Sequence, residues 1–238
     1  MEGVYILGKN EKQKDLEYIQ REKGRQSEMY KIENQLLKTG YEIIAGIDEA
    51  GRGPLAGPVL AAAAVVPPEL FIEGLNDSKK LSPKKREKIY QHMLELKIPY
   101  GLGQASVEEI DQINILNASR LAMKRAVKNL PVMPDYLLID GNSWSGISIP
   151  HQGVVGGDAR SLSIAAASIF AKVTRDRIMV KLDKLFPGYG LAKHKGYPTV
   201  EHFAALAQLG PSNIHRRSFN LHTQWNLEFK EEESKETS

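Results

Sequence analysis

The sequence predicts an α/β fold in which a mixed sheet is layered with helices. Two short apolar runs of strand length, IIAGID at 43–48 and VLAAAAVV at 59–66, flank a Gly/Pro-rich turn and read as neighbouring strands. A third run, YLLID at 136–140, follows a long amphipathic stretch. Helical patterns are interleaved with these runs and trail them, the order expected when helices cover a sheet.

The elements follow in chain order. Residues 9–38 are mostly charged, with Leu16 and Ile19, then Met29, Ile32 and Leu36, at helical spacing on either side of Gly24. This predicts two short amphipathic helices. Composition shifts at Tyr41, where the first strand begins. Ser82 suits an N-cap and Pro83 a first helical position, for a helix reaching about Lys97. A strand is expected over Tyr100–Ser106, and a helix over Ile113–Leu130 that packs Ile113, Leu116, Leu121, Val127 and Leu130. The strand at Tyr136–Asp140 comes next, then short pieces near Ile147 and Val154. A long helix over Ser161–Leu185 carries the run Ala165-Ala166-Ala167, which allows close approach to a sheet. Helices are predicted at Val200–Gln208 and Asn220–Phe229, and EEESKETS reads as a solvated tail. The expected organisation is a helical extension over 1–41, a main body over 42–229 with a helical C-terminal part, and a disordered acidic tail over 230–238. There is no internal repeat.

With 238 residues, 42% hydrophobic and 26% charged, the chain has the composition of an ordinary globular protein with one full core. A net charge of +3 permits a polyanionic partner without requiring one. The absence of cysteine excludes disulfides, thiolate zinc sites and cysteine nucleophiles, so any metal must sit on oxygen or imidazole. MEGVYILGKNEK lacks the layout of a secretory signal, and Val59–Val66 is too short to span a bilayer. The expectation is a cytoplasmic protein with no membrane contact, and a monomer, since no heptad pattern stands out.

Chemistry concentrates in the acidic residues. Asp48 and Glu49 end one apolar strand and Asp140 ends another, placing ionisable groups where a sheet emerges into solvent. Neighbouring carboxylates raise one another's pKa unless a cation neutralises them, and hard divalent ions prefer such oxygen ligands. Adjacent strand residues point to opposite faces, so Glu49 joins Asp48 only if the strand bends there, a freedom that Gly51 and Gly53 would supply. Asp158, three residues before the long helix, reads equally as an N-cap or dipole partner and as a further ligand. Asp176 lies one turn after Lys172 and is explained by an exposed ion pair. No HExxH, GxxxxGK[ST] or GxSxG pattern occurs, which sets aside zinc proteases, P-loop enzymes and serine triads.

Five stretches together, GIDEAGRGPLAGPV at 46–59, NDSKKL at 76–81, LLIDGN at 137–142, SIAAASIFAKVTRDR at 163–177 and HKGYPTVEH at 194–202, resemble the ribonuclease HII family over roughly Glu42–His222. The resemblance implies a ribonuclease H-like fold, a mixed five-stranded sheet flanked by helices with a helical C-terminal segment. It implies an acidic quartet at Asp48, Glu49, Asp140 and Asp158 that holds two Mg²⁺ or Mn²⁺ ions. The implied substrates are RNA/DNA hybrids and duplex DNA with an embedded ribonucleotide, nicked on its 5′ side to leave 3′-hydroxyl and 5′-phosphate ends. Such an activity belongs to ribonucleotide excision repair. Gly51, Arg52 and Gly53 match the motif that reads the RNA-to-DNA junction, and Tyr197 matches the tyrosine that stacks on the following deoxyribose. Lys79, Lys80, Lys193 and Lys195 would contact phosphates. His194, His202, His215 and His222 have no assigned role. Gly156 stands where the family often has a lysine, two residues before the last aspartate, and the segment before Tyr41 lies outside the shared region. The related ribonuclease HIII family usually ends its quartet with glutamate and lacks the GRG and tyrosine pairing, so Asp158, Arg52 and Tyr197 favour the first family. A module that binds hybrids without cutting them is the other alternative.

Overall fold

The computed structural model describes residues 3–143 and 146–221. Five strands, β1 (Ile44–Ala50), β2 (Val59–Ala64), β3 (Tyr100–Ala105), β4 (Tyr136–Asp140) and β5 (His151–Val154), form one sheet in the order β3-β2-β1-β4-β5. The β1–β2 and β2–β3 pairs are antiparallel, whereas β4 runs parallel to both β1 and β5. This is the mixed five-stranded sheet that the sequence resemblance implied.

Side-chain alternation divides the sheet into two faces. One face, with Ala45 and Ile47 of β1, Ala61 and Ala63 of β2, and Leu137 and Ile139 of β4, packs on helix α4 (Val107–Lys128) through Ala118, Ala122 and Ala126. The other, including Leu60, Ala62 and Ala64, packs on helix α5 (Leu162–Leu185) through Ala165, Ala166, Ile169 and Phe170. Contact with α5 is so close that a Cβ on Gly46 would stand 2.2 Å from the Ile164 backbone nitrogen. Helix α3 (Pro83–Glu95), capped by Ser82 with Pro83 in its first turn as expected, adds Ile89, Tyr90 and Met93 to this second core.

Some expectations need correction. Helix α1 (Gly3–Met29) runs unbroken through Gly24, and α2 (Lys31–Lys38) begins only after Tyr30. A helical glycine costs about 1 kcal/mol relative to alanine, too little to end a helix whose last turn is anchored. Arg25 donates to the Leu75 carbonyl at 2.6 Å, Gln26 exchanges hydrogen bonds with the Ile72 backbone, and Met29 and Tyr30 enter the core. Leu16 and Ile19 are exposed. Helix α4 starts at Val107, because Ser106 and Glu109 form a capping box. It kinks at Asn114, φ +64°, whose side chain accepts the Asn117 N–H and starts the helix again. The kink turns Ile113 and Leu116 outward, leaving Ile110 and the alanines to face the sheet. Ile147 lies in a loop, and a one-turn helix, α6 (Leu191–His194), precedes α7 (Val200–Leu209). The predicted helix at Asn220–Phe229 lies outside the described residues apart from Asn220 and Leu221, which have no regular structure; His222 and the tail also lie outside.

Candidate active site

The strand register builds the site. Ile47 pairs with Ile139 across parallel strands, so Asp48 and Asp140, one residue further along, emerge side by side on the α5 face. Asp158 arrives from a 3-10 turn, Gly157–Ala159, between β5 and α5. The Gly157 N–H donates to Asp140 Oδ1 at 2.7 Å, which ties that turn to the sheet. One carboxylate oxygen from each of Asp48, Asp140 and Asp158 lies within 4.8 Å of the others. Asp158 does not cap α5: the cap is Ser161, whose hydroxyl accepts the Ile164 N–H.

Glu49 stands apart from this trio. The strand does not bend at Glu49 but continues regularly to Ala50, with Glu49 opposite Ala61. Its carboxylate lies 3.4 Å from the Arg52 guanidinium.

The carboxylates are poorly neutralised. Asp48 is 4% exposed; burial, then the charges of Glu49 and Asp140, push its pKa well above the ordinary aspartate value. Burial raises Glu49 and Asp158 as well, opposed by Arg52 in the first case and by Lys79 in the second. Lys79 Nζ lies 3.1 Å from Asp158 Oδ2. Burial pulls the Lys79 pKa down, but the hydrogen bond to Asp158 and the nearby acidic charges outweigh it and leave it raised. Buried oxygens that repel one another, with an ammonium already against one of them, are a donor set suited to a hard divalent cation.

Beyond β1 the chain turns through Gly51, φ +95°, where a Cβ would collide with the Arg175 side chain at 2.0 Å. Arg52 and Gly53 are exposed, and a Cβ on Gly53 would lie 3.8 Å from the Tyr197 ring. The loop, Tyr197 and the acidic trio thus share one end of the sheet. Lys172 Nζ sits 5.8 Å from the centre of the Tyr197 ring.

Residues 45–222 match the family described as Ribonuclease HII. The chain belongs to the ribonuclease HII family. A ribonuclease HII of Moorella thermoacetica is 55% identical over 198 residues, 83% of this chain and 96% of that protein. The ribonuclease H2 structure from Pyrococcus horikoshii OT3 superimposes with a TM-score of 0.63 at 28% identity, covering 79% of this chain and 99% of that one. Bst-RNase HIII, solved with Mn²⁺, gives a TM-score of 0.58 at 18% identity over 75% of this chain and 67% of its own, a likeness of fold alone. As a ribonuclease HII, the chain is a metal-dependent endoribonuclease that hydrolyses the RNA strand of RNA/DNA hybrids. None of the helices among the described residues is long and apolar enough to cross a membrane.

Within this ribonuclease HII the four expected lysines separate. Lys79 joins the acidic cluster. Lys80 lies 4.0 Å from Asp77, Lys193 pairs with Glu201, and Lys195 Nζ donates to the Ala192 carbonyl. Gly156 adopts a left-handed conformation, φ +63°, and the cation beside Asp158 is Lys79 from a distant turn. The Lys172–Asp176 pair, at 2.7 Å, is largely buried rather than exposed, and Arg86 approaches Asp176 at 3.9 Å.

Sequence reasoning missed two wholly buried arginines. Arg175 donates to the carbonyls of Pro58, Ala56 and Lys195, and Arg216 to those of Gly51, Arg52 and Gly57. Their partners are carbonyls, which every residue possesses, so no pairing of residue types announces them.

Proposed function

We propose that this ribonuclease HII also nicks duplex DNA on the 5′ side of a single embedded ribonucleotide, using Asp48, Glu49, Asp140 and Asp158 to hold two divalent ions, Mg²⁺ or Mn²⁺. The observation that carries the reading is the convergence of the Asp48, Asp140 and Asp158 carboxylates beside the Gly51–Gly53 loop and Tyr197. Bound there, the ions supply a polarised scissile phosphate and an activated water, leaving 3′-hydroxyl and 5′-phosphate ends. Glu49 would complete the set by releasing Arg52, whose exposed guanidinium lies 3.4 Å from the largely buried Glu49 carboxylate.

The remaining residues position the duplex. Backbone groups of Gly51, Arg52 and Gly53 read the ribose 2′-hydroxyl, which distinguishes RNA from DNA at that place. Tyr197, 40% exposed, offers its ring to the next sugar, where a hydroxyl would clash. Lys79 and Lys80, at the rim, take phosphates, and so do Lys193 and Lys195 further along; such contacts orient the duplex without reading its sequence. The chain acts as a monomer in the cytoplasm, its 1–41 extension and 42–229 body forming the working unit.

An end-labelled DNA duplex with one ribonucleotide, incubated with the protein in Mg²⁺ and then in excess EDTA, tests this. A metal-dependent nick on the 5′ side of the ribonucleotide is expected. Cleavage of a long hybrid without that nick would defeat the junction reading.

A further inference from the structure

Arg216, between α7 and the last described residues, is wholly buried yet forms no ion pair among the described residues. Its guanidinium donates to Gly51 O at 2.6 Å, Arg52 O at 2.9 Å and Gly57 O at 2.8 and 3.0 Å, and the Phe219 ring centre lies 5.1 Å away. An arginine without an anion in a site this dry carries a large desolvation cost, which lowers its pKa to about 9, with Arg175 adding repulsion. The return is geometric. Guanidinium is a planar fork, able to fix several carbonyls in set directions, as an ammonium is not.

The fixed carbonyls determine where the neighbouring N–H groups point. In a trans peptide the C=O of one residue and the N–H of the next are antiparallel, and the chain has no cis bond among the described residues. With Gly51 O and Arg52 O both drawn inward to Arg216, the N–H groups of Arg52 and Gly53 must face outward. Both residues are exposed, and neither N–H has an acceptor among the described residues. The loop therefore presents two adjacent, pre-aimed donors beside the Tyr197 ring.

We propose that Arg216 is a positioning residue for substrate reading: its clamp on the Gly51, Arg52 and Gly57 carbonyls holds the Arg52 and Gly53 amides as a donor pair for a ribose 2′-hydroxyl. This rests on the junction reading above. It assigns the discrimination between ribose and deoxyribose to a buried side chain that never touches the substrate.

The test is binding, measured in EDTA so that nothing is cut, by fluorescence anisotropy with two labelled duplexes: one with a single ribonucleotide and one all DNA. Arg216→Lys keeps the charge and loses the fork. The expected result is a preference for the ribonucleotide duplex that falls by about tenfold or disappears, with all-DNA affinity within about twofold of the unmodified chain, since phosphate contacts are untouched. An unchanged preference, or both affinities falling in step, would overturn the proposal, the latter by showing a structural role only. If the unmodified chain itself shows no preference, the junction reading fails and this inference falls with it. Should Arg216→Lys not fold, Gly53→Pro decides, because it deletes one outward donor and leaves Arg216 in place: lost preference upholds the donor pair and retained preference overturns it.

Discussion

Glu33 in α2 accepts the Ser161 hydroxyl at 2.6 Å and the Ser163 N–H at 3.0 Å, closing the start of α5 from far along the chain. Ser161 is the α5 cap and its own N–H bonds Gly157 O at 2.8 Å, so the N-terminal helices brace the turn that bears Asp158. Glu33→Ala should therefore destabilise the fold by about 2–4 kcal/mol, from lost packing and a stranded cap. Urea unfolding would measure it, and a change below about 0.5 kcal/mol would show that the brace is idle.

The same carboxyl gives a pH dependence. Burial raises the Glu33 pKa, so the folded chain holds this proton more tightly than the unfolded chain. Its stabilising contribution is present below the ordinary glutamate range and declines as pH rises through that range toward the raised value. Glu33→Gln, which cannot ionise, should flatten this part of the stability curve. A slope identical to that of the unmodified chain would refute the assignment.

Asp48→Asn should cut turnover by at least about two orders of magnitude, because the group that would hold the metal is lost. The same substitution should leave metal-free thermal stability equal or higher, since it removes a buried charge that faces Glu49 and Asp140. Divalent ions should raise the unfolding temperature of the unmodified chain more than that of the variant. Near-normal turnover in Asp48→Asn would remove this residue from the site.

Tyr197→Ala should slow nicking at a single ribonucleotide more than cleavage of a long hybrid, because a lone junction depends most on the sugar that follows. Side-by-side kcat/KM values decide it. Equal losses on both substrates would argue that the ring serves packing.

His215 supplies an acid-side signal. Its Nδ1 accepts the Ser212 N–H, and its Nε2 lies 3.1 Å from His202 Nε2, a neutral pair in which both rings are buried. Burial, then the neighbouring His202, pushes the His215 pKa down to about 4. A folded-state pKa below the unfolded one means stability present above the ordinary histidine range and lost as pH falls toward 4. The loss between pH 7 and 5 should be on the order of 2 kcal/mol, and His215→Gln should remove most of it in parallel denaturation curves.

Much of this architecture is legible in the sequence, and the exceptions have physical reasons. Apolar runs ending in Asp48 and Asp140 mark both strands and the end of the sheet where the carboxylates converge, since a carboxylate closing a buried strand has few purely structural uses. Asp158 stays ambiguous in sequence because two residues, it and Ser161, can each serve as cap; only the fold shows the serine taking that task. The early start of α4 was readable from Ser106 and Glu109, whereas its kink depends on Asn114 adopting a left-handed conformation that many asparagines never visit. Glu49 illustrates a limit of motif reading: it adjoins Asp48 in sequence, yet the carboxylates that converge are those of Asp48, Asp140 and Asp158, while Glu49 pairs with Arg52.

The contact between α5 and the sheet, made of Ala165, Ala166, Ala62 and Gly46, bears on which neighbouring sequences can exist. Residues this small have almost no rotamers to rearrange, so nearly every substitution enlarges a seam already at backbone separation. A random library across these positions should return little beyond glycine, alanine and serine, while the exposed turns of α1 accept wide variation. Drift in this lineage would then be channelled toward the periphery, with the seam behind the carboxylates left as a fixed reference.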